Sequence, residues 1–174
     1  KNIIEKYGAE KTFSFATSAI RSAANGARFV ERVRDELGIE INMISWDLEA
    51  ELIYFGVRKA VNLGEKPCLI MDVGGGSTEF IIANAETIFW KRSYDLGVSR
   101  LLEIIDPSDP VTKNDVRKLE NYLWNALKSL FIAVKDFSIQ GLVGSSGSFE
   151  SFAEMITHRQ NKRASLKAAT EYLF

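Results

Sequence analysis

Residues 67–80 read PCLIMDVGGGSTEF, which joins an apolar run and an acid to three consecutive glycines and two hydroxyl side chains. The run CLIMDV is typical of a buried β-strand, and the β-branched and aromatic residues after the glycines predict one or two further strands. We therefore expect the glycine triplet to connect two strands. A plain hairpin turn is one interpretation of it, because such triplets often serve turns that need positive φ or close backbone packing.

The second interpretation of the triplet is a phosphate-binding loop. A glycine-rich turn exposes successive backbone N–H groups, and such a concavity binds anions, most often phosphate. Asp72 stands at its edge, where a carboxylate would repel bound phosphate unless a cation lay between them, so we expect Mg²⁺ there. Ser77 and Thr78 are expected to donate their hydroxyls to phosphate oxygens. The sequence has neither a P-loop motif nor a G-x-G-x-x-G that opens a helix.

Composition narrows the classes of function. The chain has 174 residues, 46% of them apolar, and a net charge of −1 from 22 basic and 23 acidic residues. No overall field therefore attracts a nucleic acid polymer or a membrane surface. The single cysteine excludes an internal disulfide, and the single histidine excludes a His-rich metal site. With no apolar run of about 18 residues and no signal-peptide pattern, we expect a cytoplasmic protein.

Periodicity over residues 1–62 predicts the element order α-β-α-β-α. TFSFATSAI predicts a strand that runs into a loop, and NGARFVERVRDELG predicts a helix that ends at Gly38. IEINMI predicts a strand, and DLEAELIYFGVRKAV predicts a helix with Asp47 as its N-cap. NLGEKP, with its glycine and proline, indicates a domain boundary.

The sequence pattern beyond this boundary predicts a second α/β region. Two or three strands run through WKRSYDLG and are followed by a helix over VSRLLEIID. A long helix is expected from Asn114 to about Phe137, with Thr112 as its N-cap and Asp115 completing an imperfect capping box. IQGLVGSSGS predicts a strand and a loop of small residues, and FESFAEMITHRQ predicts a last helix.

Four stretches place small or polar residues where a strand ends or a helix begins, which is where α/β sheets usually bind ligands. ATSAIRSAAN offers Thr17, Ser18 and Arg21, and SWDLEAELI offers Glu49. DVGGGS is the strongest of the four, and GSSGS is a second candidate anion or nucleotide loop. Each weaker stretch has an ordinary alternative: a surface salt bridge for Arg21, a solvated helix carboxylate for Glu49, and a flexible turn for GSSGS.

Taken together, ATSAIRSAAN, ISWDLEAELIYFGV, MDVGGGSTEF, YDLGVSRL and LVGSSGSFES resemble, in order and spacing, the motifs of the exopolyphosphatase/guanosine pentaphosphate phosphohydrolase (Ppx/GppA) family, over roughly residues 12–150. The resemblance implies an α/β fold of the ribonuclease-H-like, actin-like ATPase type. It implies that residues 1–64 form part of a first such domain, without its N-terminal hairpin, and that residues 65–174 form the second.

The resemblance also implies roles for individual residues. Glu49 would be the catalytic glutamate that orients and deprotonates water, and Asp72 would be the metal-linked aspartate. The remaining positions would bind phosphate: Arg21 with Thr17 and Ser18 in the first domain, and Gly74, Gly75, Gly76, Ser77, Gly144, Ser146 and Gly147 in the second. We expect Arg21 and the glycine loop to face one cleft.

The implied activity is hydrolysis of terminal phosphoanhydrides with Mg²⁺ as cofactor. The substrate would be polyphosphate or guanosine pentaphosphate, which the sequence does not distinguish, and a homodimer of the full-length protein is one expected form. Three departures from the family pattern are Trp46 and Leu48 beside Glu49, GSSGS in place of a Gly-Gly-Thr-like loop, and no first phosphate loop. We therefore expect these residues to be inactive alone.

Two other functions are consistent with the same motifs. A non-catalytic phosphate or nucleotide sensor would keep the phosphate-binding residues but would not hydrolyse the ligand. Trp46 would be the residue that distinguishes such a sensor from the enzymes. A phosphotransferase similar to sugar kinases would need an acceptor pocket, for which the sequence offers no residues.

Overall fold

The computed structural model describes residues 1–159. Its chain divides into two compact units, the first spanning Lys1–Glu49 and the second beginning at Ala50. The division falls inside one helix, between Glu49 and Ala50.

The first unit holds a two-stranded parallel sheet and short helices. Strand β1 (Ser14–Ala16) pairs with β2 (Ile41–Met43) so that Phe15 lies opposite Asn42. The other elements of this unit are helices α1 (Asn2–Lys6), α2 (Ser18–Ser22) and α3 (Gly26–Leu37), and the first turn of α4 (Trp46–Ala60). The predicted order of helices and strands is confirmed, and the short helix α2 lies where a loop was predicted.

The ends of these helices follow local chemistry. Helix α3 ends at Gly38, whose φ of 66° is the left-handed conformation that glycine adopts without strain. The predicted cap of α4 is wrong, because Asp47 lies inside the helix. Ser45 caps it instead, since its Oγ accepts a hydrogen bond from the Leu48 N–H at 3.2 Å.

The second unit is built on a four-stranded mixed sheet in the order β5-β4-β3-β6. Strand β3 (Cys68–Val73) forms an antiparallel hairpin with β4 (Thr78–Ala83), and β4 pairs with β5 (Ile88–Tyr94) in the same way. Strand β6 (Leu142–Ser145) returns parallel to β3. The glycine triplet therefore connects two paired strands, as predicted.

Helices cover both faces of this sheet. Side chains of α4 such as Ala50 and Tyr54 pack on one face, against an apolar cluster that includes Ile70 and Ile81, both fully buried. The other face, around Phe80, is covered by residues of helices α6 (Lys113–Ala126) and α7 (Lys128–Asp136). Helix α5 (Val98–Ile105) follows β5, and α8 (Gly147–Arg159) follows β6.

The long helix predicted from Asn114 to about Phe137 is interrupted at Leu127, which has φ −94° and ψ 13°. Hydrogen bonds continue on both sides of this residue, from the Leu127 N–H to Leu123 and from the Phe131 N–H to Leu127. Apolar residues on both sides of the interruption pack against the same cluster around Phe80. The capping box is confirmed and complete, because the Thr112 and Asp115 side chains each accept from the other residue's backbone N–H.

Among residues 1–159, no helix is both long enough and apolar enough to cross a bilayer.

Candidate active site

Arg21 and Glu49 form an ion pair in the first unit. The Nη2 group of Arg21 donates to Glu49 Oε2 at 3.0 Å, and Nη1 donates to the main-chain oxygen of Ile44 at 2.7 Å. Both charged side chains are largely shielded from solvent, with exposed fractions of 16% and 15%. The ion pair therefore holds a carboxylate and a guanidinium at a fixed separation, next to the point where β2 leads into α4.

Trp46 lies against this pair. The Arg21 guanidinium carbon is 5.0 Å from the centre of the Trp46 ring, which is a cation–π contact. Trp46 is nevertheless 48% exposed, and Leu48 is 40% exposed. The bulky residue noted in the sequence is thus in contact with the predicted phosphate-binding arginine.

Two polar atoms near this pair are buried without a partner. Ser18 Oγ and Arg21 Nε make no hydrogen bond to any group of residues 1–159, and Ser18 is only 4% exposed. Thr17 is the N-cap of α2, but its side chain accepts no capping hydrogen bond. Buried donors without partners are costly, so a water molecule or an anion bound here would stabilise them.

The glycine loop of the second unit is a tight turn, residues 74–77. The Gly74 N–H donates to the Ser77 oxygen at 3.0 Å. The carbonyl groups of the three glycines all accept hydrogen bonds from the start of α5. Their donors are the N–H groups of Val98 (3.0 Å) and Ser99 (2.9 Å) and the Nε of Arg100 (3.0 Å).

This arrangement fixes the direction of the loop amides. In a planar trans peptide the C=O and N–H bonds point in opposite directions. Because the three carbonyls point to α5, the N–H groups of Gly75, Gly76 and Ser77 point the other way. The hydrogen bonds among residues 1–159 leave the Gly75 and Gly76 N–H groups without an acceptor. Consecutive free amides of this kind form an anion-binding concavity.

Thr78 does not contribute a hydroxyl to this concavity, so that part of the prediction is wrong. Its Oγ1 donates to the Leu96 main-chain oxygen at 2.9 Å, and the residue is 3% exposed. The hydroxyl anchors the chain that leads into α5. Ser77 is equally buried, at 3%.

A row of polar side chains crosses the sheet beside the loop. Asp72 lies opposite Glu79 in β4 and next to Ser145 in β6, and Glu79 lies opposite Ser93 in β5. Glu79 is only 2% exposed, and its Oε1 accepts a hydrogen bond from Ser93 Oγ at 2.7 Å. Two carboxylates therefore stand side by side on neighbouring strands, on a face that also carries Lys91 opposite Ile81.

The carboxylate pair suits a hydrated Mg²⁺. Mg²⁺ is usually held by one or two carboxylates with water and substrate phosphates rather than by a full protein cage. Among residues 1–159, no group of three or more His, Cys, Asp or Glu side chains could hold a metal.

The loop predicted over GSSGS, residues 144–148, is shorter in the structure than in the prediction. Gly144 lies within β6, which ends at Ser145, and Gly147 begins α8. Ser146, with a φ of 70°, is therefore the single residue between the strand and the helix. The Ser146 hydroxyl donates to the Val73 main-chain oxygen at 3.0 Å. A Cβ on Gly144 would lie 1.8 Å from the Phe149 ring, so only glycine fits there. The segment therefore contacts the residue that precedes the glycine loop.

Sequence reasoning gave no role to Glu79, Gly97 or Arg100. The length of the predicted hairpin could have identified Glu79. A turn over residues 74–77 pairs Val73 with Thr78, and the next pair along the strands is Asp72 with Glu79. Gly97 and Arg100 lie in YDLGVSRL, but their contact with the loop needs the three-dimensional fold.

Comparisons with known proteins agree with the resemblance. A bifunctional 3-dehydroquinate synthase/phosphatase of Fusobacterium nucleatum is 32% identical over 177 residues, covering 98% of this chain and 27% of that protein. Exopolyphosphatase 1 of Mycobacterium tuberculosis is 31% identical over 149 residues, covering 85% of this chain and 43% of that protein.

Solved structures give the same result for the fold. The crystal structure of an exopolyphosphatase from Cytophaga hutchinsonii has a TM-score of 0.92 and 34% identity, covering 98% of this chain and 55% of the other. The Ppx/GppA family member of Aquifex aeolicus has a TM-score of 0.70 and 26% identity, covering 90% and 49%. The predicted α/β fold of the actin-like ATPase class is confirmed.

The chain spans between about a quarter and about half of the length of these proteins. The sequence model of the Ppx/GppA phosphatase family matches residues 1–172. The chain therefore belongs to the Ppx/GppA phosphatase family.

Proposed function

We propose that the full-length protein hydrolyses the terminal phosphoanhydride bond of inorganic polyphosphate or of guanosine pentaphosphate. The observation that carries this proposal is the glycine loop, whose amides point away from α5 and which joins two strands that bear Asp72 and Glu79 opposite each other. Amides that bind phosphate next to carboxylates that bind a cation are what phosphoryl transfer requires, because positioning and charge neutralisation supply most of its rate.

The loop amides of Gly75, Gly76 and Ser77 bind the oxygens of a phosphate group. Asp72 and Glu79 would hold Mg²⁺, whose chemistry when bound would be neutralisation of charge on the phosphate oxygens. Glu79 is included because it lies opposite Asp72 in the hairpin register.

Glu49 takes the proton of the attacking water, and Arg21 binds the phosphoryl group. Arg21 already donates to Glu49 Oε2 at 3.0 Å, so the arginine also fixes the orientation of the base. One Glu49 oxygen is engaged by this hydrogen bond, and the other is the acceptor for the water proton.

Polyphosphate is the substrate we favour. The M. tuberculosis relative and the C. hutchinsonii structure are both named exopolyphosphatases. A linear polyanion needs only repeated anion-binding groups, and the contacts described above are all of that kind. Guanosine pentaphosphate offers the same terminal group and differs by its nucleoside.

A phosphate or nucleotide sensor is the second candidate. Trp46 favours it, because its ring covers part of the guanidinium that would bind the phosphoryl group. A sensor would bind the polyanion with Arg21 and the glycine loop but would not activate water.

The deciding experiment measures release of inorganic phosphate by the full-length protein. Substrates are long-chain polyphosphate, tripolyphosphate and guanosine pentaphosphate, each with Mg²⁺ and with excess EDTA, and calorimetry measures binding of each. We expect Mg²⁺-dependent release that is fastest with polyphosphate. Binding without release would favour the sensor, and neither binding nor release would reject both functions.

A further inference from the structure

Arg100 is the one side chain among the three groups that hold the glycine-loop carbonyls. The other two are backbone N–H groups of Val98 and Ser99 at the start of α5. The Nε of Arg100 donates to the Gly76 oxygen at 3.0 Å and so holds the peptide between Gly76 and Ser77.

Gly76 precedes this peptide, and glycine restricts the rotation of an adjacent peptide less than any other residue does. The Arg100 hydrogen bond to the Gly76 oxygen adds a constraint that the residue itself does not supply. Rotation by about 180° would turn the Ser77 N–H away from the concavity and the Gly76 oxygen into it. A carbonyl oxygen in that place would repel phosphate instead of binding it.

We propose that Arg100 is a positioning residue for phosphate binding, acting through the Gly76–Ser77 peptide. The proposal rests on the proposed function of the loop as a phosphate site. Arg100 keeps the Ser77 N–H aimed into the concavity before phosphate arrives, so the bound state needs no rearrangement of the loop.

The guanidinium group suits this role for a geometric reason. One Arg100 nitrogen holds the Gly76 oxygen while Nη2 lies 3.5 Å from Asp95 Oδ1, so two acceptors fix the plane of the group. The Arg100 side chain is 34% exposed. A lysine ammonium at this position keeps the charge but cannot hold two acceptors in one plane.

Close packing supports the same conclusion. A Cβ on Gly97 would lie 2.3 Å from the carbonyl carbon and oxygen of Gly75 and 2.4 Å from the carbonyl carbon of Gly76. The chain that leads into α5 therefore contacts the loop backbone directly. This contact brings Arg100 within reach of the Gly76 oxygen.

The test compares Arg100→Met with Arg100→Lys and with the control Arg92→Met in the full-length protein. Arg92 lies in the same unit and donates to Ser129 Oγ at 3.0 Å, away from the loop. Backbone amide NMR spectra report on the loop without ligand, and titration with inorganic phosphate reports on binding. Thermal unfolding checks that each variant is folded.

In Arg100→Met without ligand, we expect the Gly76 and Ser77 amide signals and the NOE between them to change. Phosphate binding should weaken about tenfold or more, as expected for one misdirected donor to a charged ligand. The KM for polyphosphate should rise by a similar factor. Arg100→Lys should fall between wild type and Arg100→Met, and Arg92→Met should match wild type.

Unchanged Gly76 and Ser77 signals in folded Arg100→Met would overturn the proposal, whatever the protein hydrolyses. An equal loss of phosphate affinity in Arg92→Met would also overturn it. If the ligand-free loop changes in Arg100→Met but wild type binds no phosphate, Arg100 positions the loop and the proposed function is the part that fails.

Discussion

Glu49→Gln in the full-length protein separates the contact that this carboxylate makes in the structure from the catalytic role proposed for it. Glu49 is the partner of Arg21, and it is the proposed base. Glutamine has nearly the same size, and its amide oxygen can accept the same Arg21 hydrogen bond, which is 3.0 Å long in the wild type. The substitution therefore removes the proton acceptor and keeps the geometry.

The expected effect falls on kcat. General-base assistance contributes about 10² to 10⁴ to the rate, so kcat should fall at least about 10²-fold, which corresponds to ~2.7 kcal/mol in the activation barrier. KM for polyphosphate should stay within a few fold, because Arg21 keeps an acceptor and its position. Glu49→Ala removes that acceptor as well and should raise KM in addition to lowering kcat.

The assay is release of inorganic phosphate over a range of polyphosphate concentrations at saturating Mg²⁺. Glu51→Gln is the matched control, since Glu51 lies on the same helix and pairs with Lys91 at 2.6 Å with 43% of its side chain exposed. Such an exposed pair contributes little, and its loss should leave kcat within about twofold. Circular dichroism melting confirms that each variant is folded.

A Glu49→Gln enzyme whose kcat lies within about threefold of wild type would refute the reasoning. Glu49 would then serve only to hold Arg21, and another group would have to take the proton. A fall in kcat equal to that of Glu51→Gln would point to a general disturbance of α4 instead.

Further predictions concern the metal, Trp46, a helix cap and the cysteine. Asp72→Asn should raise the Mg²⁺ concentration for half-maximal phosphate release about tenfold, because one anionic ligand is lost; an unchanged Mg²⁺ curve would remove Asp72 as a ligand. Trp46→Gly should change KM for polyphosphate two- to fivefold, since an exposed cation–π contact with Arg21 contributes about 0.5–1 kcal/mol. If the wild type releases no phosphate and Trp46→Gly does, Trp46 would be the residue that prevents hydrolysis, and the wild type would be a sensor. Thr112→Ala should destabilise the protein by about 1 kcal/mol and lower Tm by roughly 2–4 °C, in contrast to Thr12→Ala on an exposed residue. Cys68, whose pKa is raised because its thiol is buried, should react with a disulfide reagent only after denaturant is added.

The features that the sequence predicts best are those set by nearby residues. Apolar runs on both sides of three glycines can only be joined by a tight connection, and the structure has that hairpin. The capping box needs only Thr112 and Asp115, three residues apart, and Gly38 ends α3 through its own backbone freedom. Such signals are contained within a few residues, so they survive any arrangement of the rest of the chain.

The features that the sequence does not predict depend on packing. No helix-breaking residue such as Pro or Gly stands at Leu127, so the sequence does not predict the interruption between α6 and α7. The stacking of Trp46 on Arg21 joins residues 25 positions apart, and the bond from Arg100 to Gly76 spans 24. Residue spacing along the chain carries no signal for contacts of this kind.

In the proposed mechanism, the Arg21 guanidinium would hold the base Glu49 and still bind a phosphate. An arginine has five N–H donors, and in this protein one goes to Ile44 and one to Glu49, while the Nε donor is buried without a partner among residues 1–159. One donor on each terminal nitrogen therefore remains for an incoming anion. Phosphate can bind without breaking the ion pair, and its charge then competes with Glu49 for the same cation. In the proposed mechanism, one guanidinium would therefore position Glu49 and bind the substrate at the same time.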